Sequence, residues 1–298
     1  MTEIALPTAE PATARRGFLH ALWRSPKGLS GLLMILVVLA CALFGPEIVP
    51  HDPVAQSIMS RFAPTAWQEG GSLKHLLGAD NMGRDVLSRT IVGARVSIEV
   101  ALIVVSVALI LGATLGALAG FFGGALDTLI MRLVDFQLAF PFLLLALIFM
   151  AVLGPGFTTL VVALSMGFWI NFARVVRSET MRIRKLDYID AAITMGVSRV
   201  RIILTHVLPN VLPAMLVVAT LDVALVVLSE AGLSFLGLGV QPPTISWGMM
   251  ISDGRDFLYD QPWIVIGPGI AVLITSVGIN LFGDFLRDHF DPRLERMR

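Results

Sequence analysis

Two carboxylates, Asp222 and Glu230, stand in an otherwise apolar stretch of this sequence, eight residues apart. That separation is about 2.2 helical turns, so a helix would carry both on roughly one face. Ionisable groups within a membrane are costly and often mark a transport path or a proton relay. The pair could therefore bind a substrate ammonium group or carry protons from a pore-lining position, or it could hydrogen-bond inside a helical bundle.

The other residue types that could do chemistry are scattered along the chain. The five histidines lie in flanks or loops, and the single cysteine, Cys41, lies inside an apolar run. One cysteine supports neither a disulfide framework nor a cysteine-based metal site. The sequence holds no Ser/His/Asp or Cys/His constellation and no Gly-x-x-x-x-Gly-Lys phosphate loop. We therefore expect no catalytic residues, no cofactor, no metal site and no ATP hydrolysis by this chain.

The composition is that of a membrane protein. Hydrophobic residues make up 56% of the 298 residues, charged residues make up 15%, and the mean hydropathy is +0.81. Soluble domains are about half apolar and about a quarter charged. The formal net charge is +0, and no basic block stands apart from the membrane flanks, so nothing indicates nucleic-acid binding. The partner that the composition does indicate is a lipid bilayer.

Six apolar segments predict an all-α polytopic fold with six transmembrane helices. They cover residues 29–44, 96–122, 130–153, 158–172, 207–236 and 262–285, with Pro141 inside the third segment. Gly112, Gly116 and Gly120 leave one face of the second segment without side chains, which allows close helix contact; we favour packing within the subunit over dimerisation. Residues 76–95, just before that segment, predict an amphipathic helix on the outer face.

Basic residues predict the orientation. Sixteen of the 22 Lys and Arg residues lie in segments on the side of the N-terminus, and the other six lie on the opposite side. Basic residues in short loops favour the cytoplasmic side. Both termini and the polar stretch 174–210 are therefore predicted to be cytoplasmic, in the cell inner membrane. The predicted divisions are an N-terminal tail (1–28), a first helix with an extracytoplasmic segment (29–94), a five-helix core (95–286) and a C-terminal tail (287–298).

The polar stretch 174–210 predicts a short helix between two helical extensions. Asp187 is placed to cap that helix, with Asp190 completing a capping box, and Gly196 is placed to end it in a left-handed conformation. Ser198 could cap the next helix. The surface that we predict to lack a partner within the chain comprises Tyr188, Ile189, Ala191, Ala192, Ile193 and Met195. An apolar surface of this kind indicates a protein interface, whereas an ordinary amphipathic loop would rest on lipid headgroups.

The same stretch carries a family resemblance. Asp190-Ala191-Ala192, then Gly196, and later Leu208-Pro209, resembles the cytoplasmic loop of binding-protein-dependent ABC importer permeases, the EAA loop. Asp190 and His206 depart from that family's usual Glu and Ile, and the form His206-x-Leu208-Pro209-Asn210 resembles its dipeptide, oligopeptide and nickel branch. Further stretches resemble that branch at residues 77–80, 83–89, 132–135, 139–141, 233–239, 241–243, 246–248, 280–284, 286–288 and 291–293.

The resemblance implies a transport subunit that works with partners. Within the coupling loop 174–208, the short helix would be a coupling helix that docks on a separate ATPase subunit. The residues implied in that contact are Tyr188, Asp190, Ala191, Ala192, Gly196, Leu208 and Pro209. The resemblance also implies a second, homologous permease, two ATPase subunits that bind ATP and Mg²⁺, and an extracytoplasmic solute-binding protein. The outer residues implied in contact with the binding protein are Asp80, Arg84, Asp85 and Trp247.

Several functions remain open on the sequence alone. The branch implies uptake of di- or oligopeptides, but nickel-chelate, glutathione and opine importers share these motifs. A proton-coupled secondary transporter could use Asp222 and Glu230, although no internal repeat of that class is evident. A structural or channel-forming membrane subunit is a third possibility.

Overall fold

The structure, a computed structural model, describes residues 18–290. Residues 1–17, the motif at residues 291–293 and most of the predicted C-terminal tail lie outside the described residues. Within 18–290 the chain is helical and forms no β-strand. A spanning chain without strands satisfies its backbone hydrogen bonds within helices, as hydrocarbon surroundings require.

Eleven α-helices occur in the described part of the chain. They are α1 (Phe18–Arg24), α2 (Pro26–Ile48), α3 (Val86–Phe122), α4 (Gly124–Leu138), α5 (Phe142–Leu153), α6 (Phe157–Arg184), α7 (Asp187–Thr194), α8 (Arg199–Ile202), α9 (Leu208–Phe235), α10 (Trp247–Gly254) and α11 (Trp263–Phe290). Two short 3₁₀ helices, Ile58–Ser60 and Arg255–Phe257, lie in residues 49–85 and 236–262. We call these two stretches the outer segments, because the sequence predicts them on the side opposite the termini. A π-helical turn, Ile203–Val207, joins α8 to α9.

The six predicted spans are present. Five are single helices long and apolar enough to cross a bilayer: α2, α3, α6, α11, and α8 continuing through the π turn into α9. The sixth consists of α4 and α5, which are bent by 87° relative to each other. The first span begins earlier than predicted, because Ser25 accepts a hydrogen bond from the Gly28 amide (3.1 Å) and Pro26 occupies the first turn. It also runs past the predicted end at residue 44, through Pro46, to Ile48.

The predicted separate amphipathic helix on the outer face is wrong. From Val86 onward, that segment belongs to α3, a single 37-residue helix. Asp85 starts it by accepting a hydrogen bond from the Ser88 amide (2.8 Å). Val86, Ser88 and Arg89 are buried against the rest of the chain, so the polar residues of this turn face protein.

The third span departs from the single helix predicted over 130–153. α4 ends at Leu138, and Pro141 occupies the N-cap position of α5. Proline cannot donate the hydrogen bond that would continue the helix, and it disfavours helical backbone at the preceding residue. The chain therefore turns at residues 139–141. Arg177 of α6 pairs with Asp127 of α4 (Nη2–Oδ2 2.7 Å), and Trp169 donates to Gln137 (2.9 Å), so α6 holds α4 in place.

The most extensive helix contact joins α3 to α6 along the three predicted glycines. A Cβ atom built on Gly112 would lie 2.4 Å from the Trp169 carbonyl oxygen. One on Gly116 would lie 2.5 Å from the Ala173 oxygen, and one on Gly120 would lie 2.6 Å from the Arg177 oxygen. These distances are shorter than any side chain tolerates, so the glycines set how near the two backbones lie. The prediction of packing within the subunit is confirmed.

We expect Gly116→Ala to lower the thermal stability of the purified protein. The new methyl group would force α3 and α6 apart, and overpacking of this kind costs about 1–3 kcal/mol. Gly232→Ala is the matched control, because a Cβ atom on that helical glycine meets nothing within 4 Å. The measurement is the melting temperature in detergent. Equal melting temperatures for the two variants would contradict the role assigned to this contact.

Candidate functional site

The short helix predicted in the polar stretch is α7. It begins at Asp187, so Leu186 occupies the N-cap position and makes no side-chain cap. The predicted capping box is therefore wrong, although Asp187 and Asp190 in the first turn suit the positive end of the helix dipole. The predicted stop is confirmed, because Gly196 has φ +80°. The amide of Val197 donates to the Ala192 oxygen (3.1 Å) and that of Gly196 to the Ile193 oxygen (3.0 Å), which is a Schellman motif.

One side of α7 packs against its own chain, contrary to our prediction of a wholly unpartnered surface. Ile189 and Ala192 are buried in an apolar cluster built from the ends of four helices. The other buried members of this cluster are Ala113, Ala117, Phe121, Val176, Ile183, Ile202, Ile203, Val207, Val211 and Met215. Ala192 is thus a spacer that lets α7 lie close to the bundle, and it is not available to a partner.

The opposite side of α7 is exposed. Tyr188, Asp190, Ala191 and Ile193 all lie on it, and Met195 just beyond the helix is 76% exposed. We call the exposed residues of 187–196 the α7 surface. It combines apolar side chains, the small Ala191 and two first-turn carboxylates. A surface with this chemistry can accept a protein partner at close range.

Arginines hold the segments that flank α7. The guanidinium of Arg184, at the end of α6, lies over the Phe121 ring at 5.8 Å. That of Arg199, at the start of α8, lies over the Phe122 ring at 5.7 Å. Both rings belong to the last turn of α3, so cation–π contacts tie the two flanks of α7 to the same helix end. No sequence pattern predicts these pairs, because their members are distant along the chain.

The predicted residues Leu208 and Pro209 lie where α8 passes into α9. Ser198 takes the N-cap position of α8 but makes no side-chain capping bond. The Leu208 amide donates to the Ile203 oxygen, five residues back, immediately before Pro209. A proline lacks the amide that a regular helix would use there, and a π turn accommodates the change. Pro209 is exposed and Leu208 half-buried, so Pro209 shapes this junction and also lies on its surface.

Glu230 is fully buried where three elements meet. Its Oε1 accepts hydrogen bonds from Ser234 and Ser246 (both 2.9 Å), and its Oε2 accepts a longer one from Ser97 of α3 (3.5 Å). Ser246 also caps α10 by accepting from the Met249 amide (3.1 Å). The carboxyl group therefore joins α3, α9 and the start of α10. This geometry favours the alternative of hydrogen bonding inside the bundle over a pore-lining position.

Asp222 has a different environment. Its two oxygens accept hydrogen bonds from Asn171 of α6, at 3.0 and 3.2 Å. Asp222 is buried but Asn171 is exposed on the surface of the subunit. The Asn171 side chain therefore connects a carboxylate in a membrane-spanning helix to an exposed face of this chain. Asn171 was not predicted, because it lies 51 residues from Asp222 along the chain.

The outer residues predicted to contact a binding protein are mostly buried. Asp80 accepts hydrogen bonds from the Met82 amide (2.8 Å), the Arg84 amide (3.0 Å) and the Arg84 Nε (2.7 Å). Arg84 and Arg89 also approach Asp253 of α10, at 3.5 and 3.9 Å. Burial raises the pKa of the Asp253 carboxyl, and the two arginines lower it in part. The ion pairs of Arg84 and Arg89 with Asp253 therefore attach the start of α3 and the segment before it to α10.

Asp85 and Trp247 also serve the interior. Asp85 caps α3 and bonds His75 Nδ1 (2.9 Å), and Trp247 donates from Nε1 to the Thr90 oxygen (2.8 Å). Direct contact of Asp80, Asp85 and Trp247 with a partner is therefore a wrong prediction, because each side chain is buried by its own chain. Arg84 is partly accessible. The exposed apolar side chains of the outer segments include Val54, Ile58, Met59, Trp67, Leu73 and Tyr259.

Comparison with known proteins gives close relatives over nearly the whole chain. The di/tripeptide transport system permease protein DppC of Pseudomonas aeruginosa is 42% identical over 97% of each chain. The dipeptide transport system permease protein DppC of Escherichia coli is 42% identical over 96% of this chain and 95% of the relative. A probable D,D-dipeptide transport system permease protein of Escherichia coli is 38% identical over 90% and 88%.

Solved structures support the same fold. A chain from inward-facing conformations of the MetNI methionine ABC transporter matches 68% of this chain and 97% of its own length, with a TM-score of 0.56 and 18% identity. In addition, residues 112–296 match the family model described as binding-protein-dependent transport system inner membrane component. The chain therefore belongs to that family, and it is a multi-pass inner-membrane permease subunit of an ABC importer.

Proposed function

We propose that this permease carries di- or oligopeptides, and that ATP hydrolysis on separate subunits drives it through α7. The α7 surface is the observation that carries the ATP-coupling part: an exposed, partly apolar face on a short helix whose other side is fixed to the bundle. The relatives named above are peptide permeases, which supports peptides over nickel chelates, glutathione and opines. The matching family, a component of binding-protein-dependent transport systems, supports an importer of that kind over a proton-coupled transporter.

The geometry of α7 supports transmission of motion as a rigid unit. Ile189 and Ala192 join the ends of α3, α6 and α9 in one cluster, so a force on α7 acts on three spans together. Packed interiors transmit displacement because they are dense. An ATPase subunit that moves on binding ATP would thereby move these helix ends. ATP and Mg²⁺ would bind the ATPase subunits and not this chain.

Asp190→Arg should abolish peptide uptake and the transport-linked ATPase activity of the assembled importer. The exposed carboxylate becomes a bulky cation on the α7 surface, while the buried side of α7 is unchanged. Asp288→Arg is the matched control, since Asp288 is an exposed aspartate in the last turns of α11. The measurements are uptake and ATPase activity in proteoliposomes, with membrane insertion checked separately. Normal uptake in Asp190→Arg would refute the coupling role.

Gly196→Pro gives a second approach to the same site. Proline cannot adopt φ +80°, so the Schellman motif and the path into α8 would be lost. Uptake should again disappear while the chain still reaches the membrane. Retained uptake would show that the bend after α7 is not needed for coupling.

A second permease subunit is supported by the break between α4 and α5. Residues 139–141 are non-helical and exposed on this chain, within a predicted span. Irregular backbone at membrane depth is tolerated where protein covers it or where it lines a water-filled cavity. A homologous permease placed against α4 and α5 would cover part of this backbone. The translocation path between the two subunits would be the water-filled cavity that the rest of it lines. The exposed apolar residues of the outer segments are the proposed contact with an extracytoplasmic binding protein.

The proposed orientation places α7 in the cytoplasm and residue 59 outside. In a Cys41→Ser background, we expect a membrane-impermeant thiol reagent to label Met59→Cys in intact cells and to miss Met195→Cys. Both methionines are highly exposed in this chain, at 100% and 76%, and expression without the ATPase subunits keeps the α7 surface uncovered, so the membrane side decides. Both variants should label after permeabilisation. Labelling of Met195→Cys alone in intact cells would invert the orientation.

Asp222 remains the proposed pore-lining acid, because Asn171 links it to an exposed face, and we assign Glu230 a structural role. Asp222→Asn should leave the melting temperature near that of the wild type and lower dipeptide uptake about tenfold, because the charged hydrogen bonds that position the exposed Asn171 amide are lost. Glu230→Ala should lower the melting temperature, because three hydroxyls lose their acceptor. Unchanged uptake in Asp222→Asn would remove that residue from the path.

A further inference from the structure

Two histidines and an aspartate meet in the outer segments of the protein, although the histidines are scattered along the sequence. His51 follows α2, His75 lies in the outer segment, and Asp85 caps α3. One potential ligand atom from each residue lies within 4.8 Å of the other two. None of the three belongs to the α7 surface or to the proposed path beside Asp222.

His75 is oriented for ligation by its contact with Asp85. Its Nδ1 lies 2.9 Å from Asp85 Oδ1, and the residue is only 7% exposed. A cation that displaced the Nδ1 proton would lie between Nδ1 and Oδ1, whose 2.9 Å separation is close to that of two ligand atoms of one ion. Among residues 18–290, Nε2 of His75 is buried and finds no hydrogen-bond partner. The second ring nitrogen is thus not committed to another contact, and the Nδ1 side, which faces Asp85, is the side on which an ion could bind.

His51 contributes a second available nitrogen. Its Nδ1 lies 3.9 Å from Asp85 Oδ2, and this atom too is buried with no hydrogen-bond partner in the described part of the chain. The rings of His51 and His75 lie 5.0 Å apart at 31°. The backbone fixes this loop, because the His51 amide donates to Ser88 Oγ (3.2 Å). The His51 side chain is 31% exposed, which provides a route from solvent.

We propose that His51, His75 and Asp85 form a binding site for a divalent first-row transition cation of the Zn²⁺ type. Imidazole nitrogens with one carboxylate oxygen suit such ions, whereas Ca²⁺ and Mg²⁺ prefer sites made of oxygen alone. In a tetrahedral Zn²⁺ site the ligand atoms lie about 3.3 Å from one another. The three ligand atoms now lie within 4.8 Å of one another, so small side-chain rotations would bring them to that separation. A water molecule completes the fourth position.

Binding would tie the outer segment to the start of α3. The three ligands come from both ends and the middle of the stretch between α2 and α3, and Asp85 also caps α3. A bound ion would restrain this stretch next to the Asp80–Arg84–Asp253 charges that fix it to α10. The site would therefore stabilise the outer surface of the subunit, whatever substrate is carried.

The test uses the full-length chain with its co-purifying subunits, purified without a histidine tag and stripped with EDTA. Co²⁺ is the spectroscopic probe. We expect one Co²⁺ per chain, with visible d–d bands of a four-coordinate site that Zn²⁺ abolishes by displacement. His75→Gln should lose the bands, and His51→Gln should weaken binding at least tenfold. His20→Gln, an exposed histidine in α1, is the matched control and should bind as the wild type does.

Thermal stability gives an independent readout. Zn²⁺ should raise the melting temperature of the wild type and of His20→Gln, and should leave the double variant His51→Gln/His75→Gln unchanged. Folded wild-type protein without d–d bands would overturn the proposal, even if a histidine variant fails to fold. Equal Co²⁺ binding by the wild type and the double variant would also overturn it.

Discussion

The contact between α3 and α6 is the constraint on which the rest of the structure depends. Three glycines at one-turn intervals bring the two backbones close enough that no side chain fits between them. Hydrocarbon offers little hydrophobic drive for helices to associate, so close packing of this kind has to supply the affinity. The same two helices continue to the apolar cluster beneath α7, where they supply half of the buried residues that contact it. A contact made deep in the bundle thus sets where the proposed coupling surface lies.

α7 illustrates how a short helix is held without strong capping of its own. It has eight residues and no side-chain N-cap, and isolated helices of that length are unstable in water. Burial of Ile189 and Ala192, the Gly196 bend and the two arginine–phenylalanine contacts on its flanks supply the missing stabilisation. These contacts leave the other face free. The division into a fixed side and a free side gives the helix the form that a connection between subunits needs.

The outer half of the protein follows a different principle. Several of its charged side chains point into the protein. Asp80 pairs with Arg84 and Arg89, and Asp85 caps α3. Glu230 accepts hydrogen bonds from serine hydroxyl groups of three elements. Buried polar groups of this kind are stable when their hydrogen bonds are satisfied, and they then define one arrangement of the backbone. The exposed surface is left to apolar side chains such as Met59, Trp67 and Tyr259. The motif residues Asp80, Asp85 and Trp247 therefore hold the backbone beneath the proposed contact surface and are not part of that surface.

The sequence by itself determined the helical class, the six spans, the glycine face of α3 and the short helix ending at Gly196. These follow from local properties: apolar length, residue size at helical spacing, and the conformational freedom of glycine. Only the tertiary structure decided that the third span breaks at Pro141, that Ala192 faces inward, and that Asp80, Asp85 and Trp247 are buried. It alone brought His51 to His75 and Asn171 to Asp222. Such pairs lie far apart in the chain, and which face of an element is covered depends on neighbours that local pattern does not specify.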